Sequence, residues 1–443
     1  MKNVFKKVIV FILKLEARLV LKKYQPKIIG VVGSVGKTST KDAIFQVLNQ
    51  HFFVAKSDKS YNSADFGVAL TVLGCKSAWG DALGWIENIF YGLKLLVFRY
   101  KYPEWLVLEV GLDHPGEIKS VVKWVKFDIA VLTYLPEVPV HIEFFKSKDE
   151  VIEEKMSLIR SVGEKGTVVL NYDDANSRVF LPELKSAVAT YGFNEKSDFV
   201  ASQEHVFYGE DGEQKIPQGI TFKVDHNGKN LPVKVNGVIG NHQIYPILAA
   251  LAVGNSLGIN MVSLVGSIAD YEPPAGRLRV LRGLKDTIIL DDTYNASPAA
   301  VEAGLLALEK LEITGSTPEA GRAGRKFAVL GDMLELGSFT VAEHKKIGVL
   351  CAKICDYVVT VGLRTKFTDE VLREKNFPSS KMKHFDDSAQ AGVYLQNKIK
   401  AGDLIFVKGS QSMRMEKAVL EIMAEPDKKE KLLVRQEKEW SSK

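Results

Sequence analysis

Cysteine is scarce in this chain: Cys75, Cys351 and Cys355 are the only three among 443 residues. Three thiols make no paired framework, and no second cysteine pair stands ready for zinc; they suit a reducing compartment and structural roles. Long hydrophobic runs are missing too. The uninterrupted stretch from Val8 to Leu13 is far short of the ~20 residues that cross a bilayer, and no small-residue cleavage site follows it. Neither a membrane span nor secretion is expected. A GxGxxG turn is absent, which argues against a nicotinamide or flavin enzyme. Excess charge is small as well: 59 Lys and Arg against 54 Asp and Glu leave a net +5, so nucleic-acid binding is not implied.

What is present describes a globular protein of two or three domains, with 46% hydrophobic and 26% charged residues. The charge is unevenly placed. Residues 1–26 hold Lys2, Lys6, Lys7, Lys14, Arg18, Lys22 and Lys23 against Glu16 alone. Val4, Phe5, Val8, Ile9, Phe11, Ile12, Leu15, Leu19 and Val20 alternate with them at roughly helical spacing, which predicts one basic amphipathic helix. Two readings stand open: a helix on the anionic inner face of a membrane, or one packed on the chain's own domain.

The segment Lys27-Ile-Ile-Gly-Val-Val-Gly-Ser-Val-Gly-Lys-Thr-Ser-Thr40 is an apolar strand entering a glycine turn, then a lysine and hydroxyls opening a helix. Backbone N–H groups freed at Gly33 and Gly36 can turn to phosphate oxygens, Lys37 adds a charge, and Thr38 can ligate magnesium. ATP chemistry is the first expectation. The spacing is a shortened GxxGKTS, with Val31 where the general nucleotide loop has glycine, so an ordinary strand-to-helix turn remains the bland alternative.

Strand and helix patterns alternate from Lys27 to about Thr190 through KIIGVVG, WLVLEVG, FDIAVLTYL and GTVVLNYDD, which argues a mostly parallel sheet. Short alternating runs over about 197–238 suggest an antiparallel insertion. YEPPAGR, from Tyr271 to Arg277, punctuates a domain boundary. TIILDD, KFAVLGD, YVVTVG and LIFVKGS then build a second α/β unit, with ITGSTPEAGRAGR as a surface loop. The expected fold class is α/β: a central P-loop ATPase domain with a mostly parallel sheet and a small antiparallel β insertion, then a C-terminal Rossmann-like domain. The boundaries read as 1–26 for the basic helix, 27–280, 281–424, and 425–443 for a charged tail that frays.

Several chemistry-bearing residues follow the strands. Glu109 closes WLVLEVG at the carboxyl end, where a carboxylate can hold magnesium. His141 in PVHIEFF is a further candidate ligand, although a lone histidine is more often packing or surface. Lys155 lies in a helix among Glu150, Glu153 and Glu154, and from chemistry alone it reads as a solvated lysine making exposed pairs of little worth. In ILDDTYNASPAAVEAGL, Ser297 and Pro298 read as N-cap and first helical residue, and Asp292 and Asn295 as exposed groups suited to hydroxyl and amide recognition.

In order and spacing, GSVGKTSTK, YNSADFGVALTVL, LEVGLDHPGEI, HIEFFKSKDEVIEEKMSLI, GNHQIYPILAALA, PPAGRLRVL, ILDDTYNASPAAVEAGL, VLGDMLELG, HKKIG and FVKGSQSMRME resemble the Mur ligase family, ATP-dependent amide-forming enzymes of peptidoglycan synthesis. The LEVGLDHPGEI and DDTYNASP forms favour its dipeptide-adding branch over the related folylpolyglutamate synthases. The resemblance implies activation of a muropeptide carboxylate as an acyl phosphate, attack by D-alanyl-D-alanine, and ATP and Mg2+ as cofactors; the cysteine usage suits the cytoplasm, and a monomer is expected. It implies that Gly33, Ser34, Gly36, Lys37, Thr38 and Ser39 hold phosphate, that Thr38, Glu109 and His141 hold magnesium, and that Lys155 is carbamylated, reversing the bland reading above. Asn241, His242, Arg277, Asp292 and Asn295 match nucleotide-contacting positions, and Asn62, Lys408 and Ser410 match the substrate side. The nucleotide groups fall in two domains, so closure is expected in turnover.

The family's usual N-terminal UDP-binding domain is not matched, which opens the carboxyl substrate to a lipid-linked form. Other readings are an amidating relative using ammonia, whose four-cysteine zinc insert has no counterpart here, and a non-catalytic nucleotide-binding scaffold.

Overall fold

The structure, a computed structural model, describes residues 2–58, 64–78, 81–211, 214–312, 324–437 and 440. Asn62 and most of the ITGSTPEAGRAGR segment lie outside the described residues.

The chain forms two compact units. The first comprises residues 1–202, 223–232 and 244–269, and the second 203–222, 233–243 and 270–443. In the first, α1 (Lys2–Tyr24), β1 (Lys27–Val32), α2 (Lys37–Leu48), β2 (Val54–Lys56), α3 (Ala64–Leu73), α4 (Ala82–Val97), β3 (Trp105–Glu109), α5 (Glu117–Val122), β4 (Ile129–Leu132), α6 (Lys148–Arg160), β5 (Thr167–Asn171), α7 (Ala175–Arg178) and β6 (Ala187–Gly192) follow one another. The strands pair in parallel in the order β2-β3-β1-β4-β5-β6. Strand β1 therefore has β3 on one side and β4 on the other, which makes the turn after it a topological switch point. β1 and β4 read as unbroken apolar runs because helices cover both faces.

Strands β7 (Phe199–Asp211), β8 (Gln214–His226) and β9 (Lys229–Asn236) extend the same sheet. β8 and β9 form a hairpin through Asn227 and Gly228, whose φ values of 52° and 71° match a two-residue turn with both residues left-handed. Helices α8 (Ile244–Ser256) and α9 (Met261–Ile268) return to the first unit, where α8 packs on α2.

Helix α1 is part of that unit's core. Ile9, Leu13, Ala17 and Val20, four residues on one face, are buried with α3 residues Val68, Ala69 and Val72 and α4 residues Trp85 and Leu95. Lys23 Nζ fastens its end by donating to the carbonyls of Leu95 (2.8 Å) and Leu96 (2.9 Å). Packing on the chain's own domain thus describes one face of the arm. Val8, Phe11, Leu15 and Leu19 stay exposed on the other.

The second unit adds β10 (Arg279–Gly283), β11 (Thr287–Asp292), α10 (Pro298–Lys310), β12 (Lys326–Gly331), α11 (Thr340–Ile354), β13 (Tyr357–Val361), α12 (Lys366–Glu374), β14 (Met382–Phe385), α13 (Ser388–Lys398), β15 (Leu404–Lys408), α14 (Glu416–Ile422) and α15 (Lys429–Leu432). Its sheet order is β10-β11-β15-β12-β13-β14, parallel except for the β10–β11 pair. Ser297 caps α10 through Ala300 N–H and Pro298 opens it, as the sequence suggests. All three cysteines are free and buried.

The described part of the tail departs from the frayed segment expected. Leu433, Val434 and Arg435 are buried, because the tail's few apolar residues have a core to join: Leu433 enters the cluster around Val407 and Met415.

Candidate functional site

The turn after β1 is shaped by two glycines with different reasons. Gly33 has φ 147°, and a Cβ there would lie 2.0 Å from Thr133 Oγ1. Gly36, at φ 84°, is the left-handed cap of α2 with open space around it. The turn is stitched to the neighbouring strand by Ser34 N–H donating to Tyr134 O at 2.8 Å. Lys37 Nζ folds back to Gly33 O at 3.1 Å. Thr38, Ser39 and Thr40 are buried in the first turn of α2, where N–H groups and the helix dipole favour anions.

Register brings Glu109 to this turn. It pairs with Val31 across β1 and β3, and its carboxylate accepts from Thr38 Oγ1 at 3.0 Å. Glu109 N–H donates to Ser57 Oγ at 3.1 Å. Lys41 is 1% exposed, and its Nζ lies 3.7 Å from Glu109 Oε2 and 3.4 Å from Asp42 Oδ1. Sequence reasoning passed over Lys41. Its position one helical turn after Lys37 was the available signal.

Lys155 departs from the solvated-lysine reading. It is 3% exposed, and Nζ donates to Ser34 Oγ at 2.6 Å. Burial, and then the Lys37 charge, hold its amine well below the ordinary lysine range. The three neighbouring glutamates in the sequence disguised an inward-facing position, because α6 turns Val151, Ile152, Lys155, Leu158 and Ile159 to the core. Asp174, another residue the sequence reading passed over, opposes that shift. It accepts from Leu135 N–H at 2.7 Å and Ser177 Oγ at 2.5 Å, and burial raises its carboxyl. His141 is half-buried in a left-handed conformation at φ 67°, with Nε2 3.9 Å from Asp113 Oδ1.

The donor chemistry suits magnesium. A threonine hydroxyl and a carboxylate are hard oxygen ligands of the kind Mg2+ takes beside phosphate oxygens and water. Among the described residues no three His, Cys, Asp or Glu side chains gather as a ready-made metal cluster, so the protein would supply few of the ligands.

The second unit holds the other candidates. Asn241 Nδ2 donates to Glu204 Oε1 at 2.7 Å, and its Oδ1 accepts from Lys310 Nζ at 3.4 Å. They line a cavity of about 280 Å³ with Tyr208 and Ile239. His242 is held neutral, down to about 4, by desolvation and then by Lys408. Gln243 Nε2 reaches Arg277 O at 3.2 Å. The Arg277 guanidinium stacks 4.0 Å over the Tyr294 ring.

Asp292 is not exposed as the sequence reading had it. It is 6% exposed: Oδ2 accepts from Lys408 Nζ at 2.5 Å and Oδ1 from Leu278 N–H at 3.1 Å. Parallel pairing of β11 with β15 sets Asp292 against Lys408, a register no local pattern reveals. Lys408 also donates to Asn295 O at 2.9 Å, and Asn295 Oδ1 accepts from Ala296 N–H at 2.8 Å. Ser410 accepts from Leu334 N–H at 2.9 Å and ties its turn to the GDMLELG turn. Arg435 was missed entirely. Its guanidinium donates to the carbonyls of Thr293, at 3.1 Å, and Tyr294, and to Glu416 Oε2 at 2.8 Å.

Residues 31–254 match the Mur ligase middle domain, and residues 276–411 match the Mur ligase, glutamate ligase domain. The UDP-N-acetylmuramoyl-tripeptide--D-alanyl-D-alanine ligase of Bacillus subtilis is 28% identical over 415 residues, covering 93% of this chain and 79% of the relative. The enzyme of the same name from Rickettsia prowazekii is 26% identical over 396 residues, covering 89% and 77%. Among solved structures, MurF ligase from Thermotoga maritima in complex with ADP superimposes with a TM-score of 0.73 at 26% identity, covering 95% of this chain and 84% of that one.

Proposed function

The chain belongs to the Mur ligase family, and on that premise we propose that it is an ADP-forming ligase joining D-alanyl-D-alanine to UDP-N-acetylmuramoyl-tripeptide. The observation that carries this reading is the convergence at the turn after β1: Lys155 on Ser34, and Thr38 on Glu109. The peptide carboxylate takes the terminal phosphoryl of ATP and ADP departs. The dipeptide amine then attacks the acyl carbon, phosphate leaves with the C–O bonding pair, and the amine proton passes to solvent. A carboxylate resists nucleophiles until its oxygen becomes such a leaving group, and crowded anions need fixed cations and N–H donors around them.

Gly33, Ser34, Gly36, Lys37, Thr38 and Ser39 would cradle the phosphates. Mg2+ held by Thr38 and Glu109 would offset phosphate charge. The family resemblance adds His141 and a carbamylated Lys155 to that ligand set, and the burial that depresses the basicity of Lys155 favours the neutral amine, the form able to capture CO2. Asn241, His242, Arg277, Asp292 and Asn295 are assigned to the nucleotide. The structure has Asp292 and Lys408 bound to each other, a pair that also ties down the 292–295 turn. Asn62, Lys408 and Ser410 remain assigned to the amino-substrate side on the resemblance alone.

The deciding assay measures ADP release with ATP and Mg2+, offering D-alanyl-D-alanine, ammonia or single amino acids with UDP-linked or lipid-linked tripeptide. ADP formed in step with a D-alanyl-D-alanine product on the UDP-linked substrate is expected. Turnover with ammonia alone overturns the acceptor, and turnover with lipid-linked tripeptide alone overturns the carboxyl substrate. We also propose that the enzyme works as a cytoplasmic monomer whose residues 1–26 touch the inner face of a membrane; no helix among the described residues is long and apolar enough to cross one.

A further inference from the structure

We infer that the groove between α1 and residues 122–126 is a binding site for the phosphate headgroup of an anionic lipid, by which the first unit seats on a bilayer surface. This deepens the reading that residues 1–26 meet a membrane, and rests on it. The groove encloses about 550 Å³. Arg18 and Lys22 line one wall, Lys123 and Lys126 the other, and no carboxylate is among the lining residues. Its apolar parts are Leu15, Leu19, Val122, Trp124 and Val125. Four cations around an indole and aliphatic side chains have the composition of a headgroup-level site, where an aromatic ring sits at the interface and lysines meet phosphate.

Nearby acids are already engaged. Asp128 accepts from Lys27 Nζ at 2.9 Å and from Ile28 N–H at 2.8 Å, and Glu16, on α1 itself, is turned away from solvent into the core and does not line the groove. Lys14 is held beside the groove, its Nζ donating to Ser120 Oγ at 2.8 Å and lying 5.9 Å from the Trp124 ring centre. Among the described residues no carboxylate lines the groove, so its four cations face an anion supplied from outside the groove.

The surroundings select a lipid surface over a free anion. Leu15 and Leu19 belong to an exposed stripe with Val8 and Phe11, the last 67% exposed. Helix α4, packed beside α1, leaves its own apolar stripe outward: Leu83, Ile86, Phe90, Leu93 and Val97, with Leu83 71% and Val97 73% exposed. The spacing of those five positions is that of one helix face. Exposed apolar residues of this extent mark an interaction surface. Cations flanking them, Lys94, Arg99 and Lys101 being exposed as well, complement anionic headgroups.

The test is co-sedimentation of the full chain with vesicles of phosphatidylglycerol and phosphatidylcholine, against phosphatidylcholine alone, at low and high salt. Preference of about tenfold or more for the anionic vesicles, weakening with salt, is expected. Lys123→Glu/Lys126→Glu should lower it about tenfold, with circular dichroism and ADP formation on soluble substrates unchanged. Leu19→Asp, which alters the apolar wall, serves as the second variant and should also release the protein. Anionic-vesicle binding that both variants retain overturns the groove but leaves the contact of α1 standing. Equal binding to both compositions overturns the anionic-headgroup site alone, and no vesicle binding at all overturns the membrane reading with it. A stable dimer in sedimentation velocity that Leu19→Asp dissolves makes a second copy the occupant and also overturns the inference.

Discussion

Lys155 and Ser34 are 121 positions apart in sequence and meet at 2.6 Å, Nζ donating to Oγ, so that α6 delivers an amine to the glycine turn after β1. The amine is buried and its basicity is depressed. The folded chain therefore binds fewer protons there than the unfolded chain between the depressed value and the ordinary ~10.4, and stability rises with pH across that interval.

Lys155→Met should accordingly be more stable than the parent at pH 7, by about 1–4 kcal/mol, with the advantage shrinking as pH approaches 10. ADP formation should fall by about 100-fold or more. Urea melts at three pH values and a coupled ADP assay check both. If carbamylation occurs at Lys155, CO2-free buffer should lower the parent's rate and bicarbonate should restore it.

The Lys408–Asp292 pair is buried on both sides, so removing one partner strands the other. Lys408→Met should cost about 3–5 kcal/mol. Lys408→Met/Asp292→Asn should cost less than the sum of the two single changes, and a double-mutant cycle in urea reads that coupling.

Arg435 holds the 293–294 carbonyls from the far end of the chain. Arg435→Ala should raise the KM for ATP severalfold while changing kcat little, and Arg435→Lys should recover part of the loss. Arg277→Ala and Asn295→Ala should shift ATP dependence in the same direction. Saturation curves unchanged in all three would remove this turn from nucleotide binding.

Glu16 is 4% exposed and neither carboxylate oxygen has a hydrogen-bond partner. Desolvation pushes it up to about 7. A raised carboxyl contributes below its unfolded value near ~4.3 and loses that contribution as pH rises through the folded one. Glu16→Gln should match the parent at pH 4 and exceed it by about 1–3 kcal/mol at pH 8, as denaturant midpoints at the two pH values would show.

The alternation of apolar runs, the glycine-lysine turn and the Ser297-Pro298 helix start are local patterns. They make both sheets, the turn after β1 and the start of α10 legible in the sequence. Lys155 was misread from chemistry alone because a lysine among glutamates looks solvated, and only the turn of α6 shows which side faces inward. Asp292 was expected in solvent because its partner comes from a strand more than a hundred residues later. The tail looked frayed because its charge outweighs its apolar content, yet Leu433, Val434 and Arg435 found buried places.

Residue order was enough to specify the main strand-and-helix alternation, the glycine-lysine turn and the basic, amphipathic character of the first helix, since each depends on neighbours within a few turns of chain. Folding in three dimensions decided which ionisable groups lose water and whom they meet: Lys155 with Ser34, Lys408 with Asp292, Arg435 with two carbonyls. Desolvation and strand register are properties of surfaces brought together from distant segments, and no window along the chain contains them.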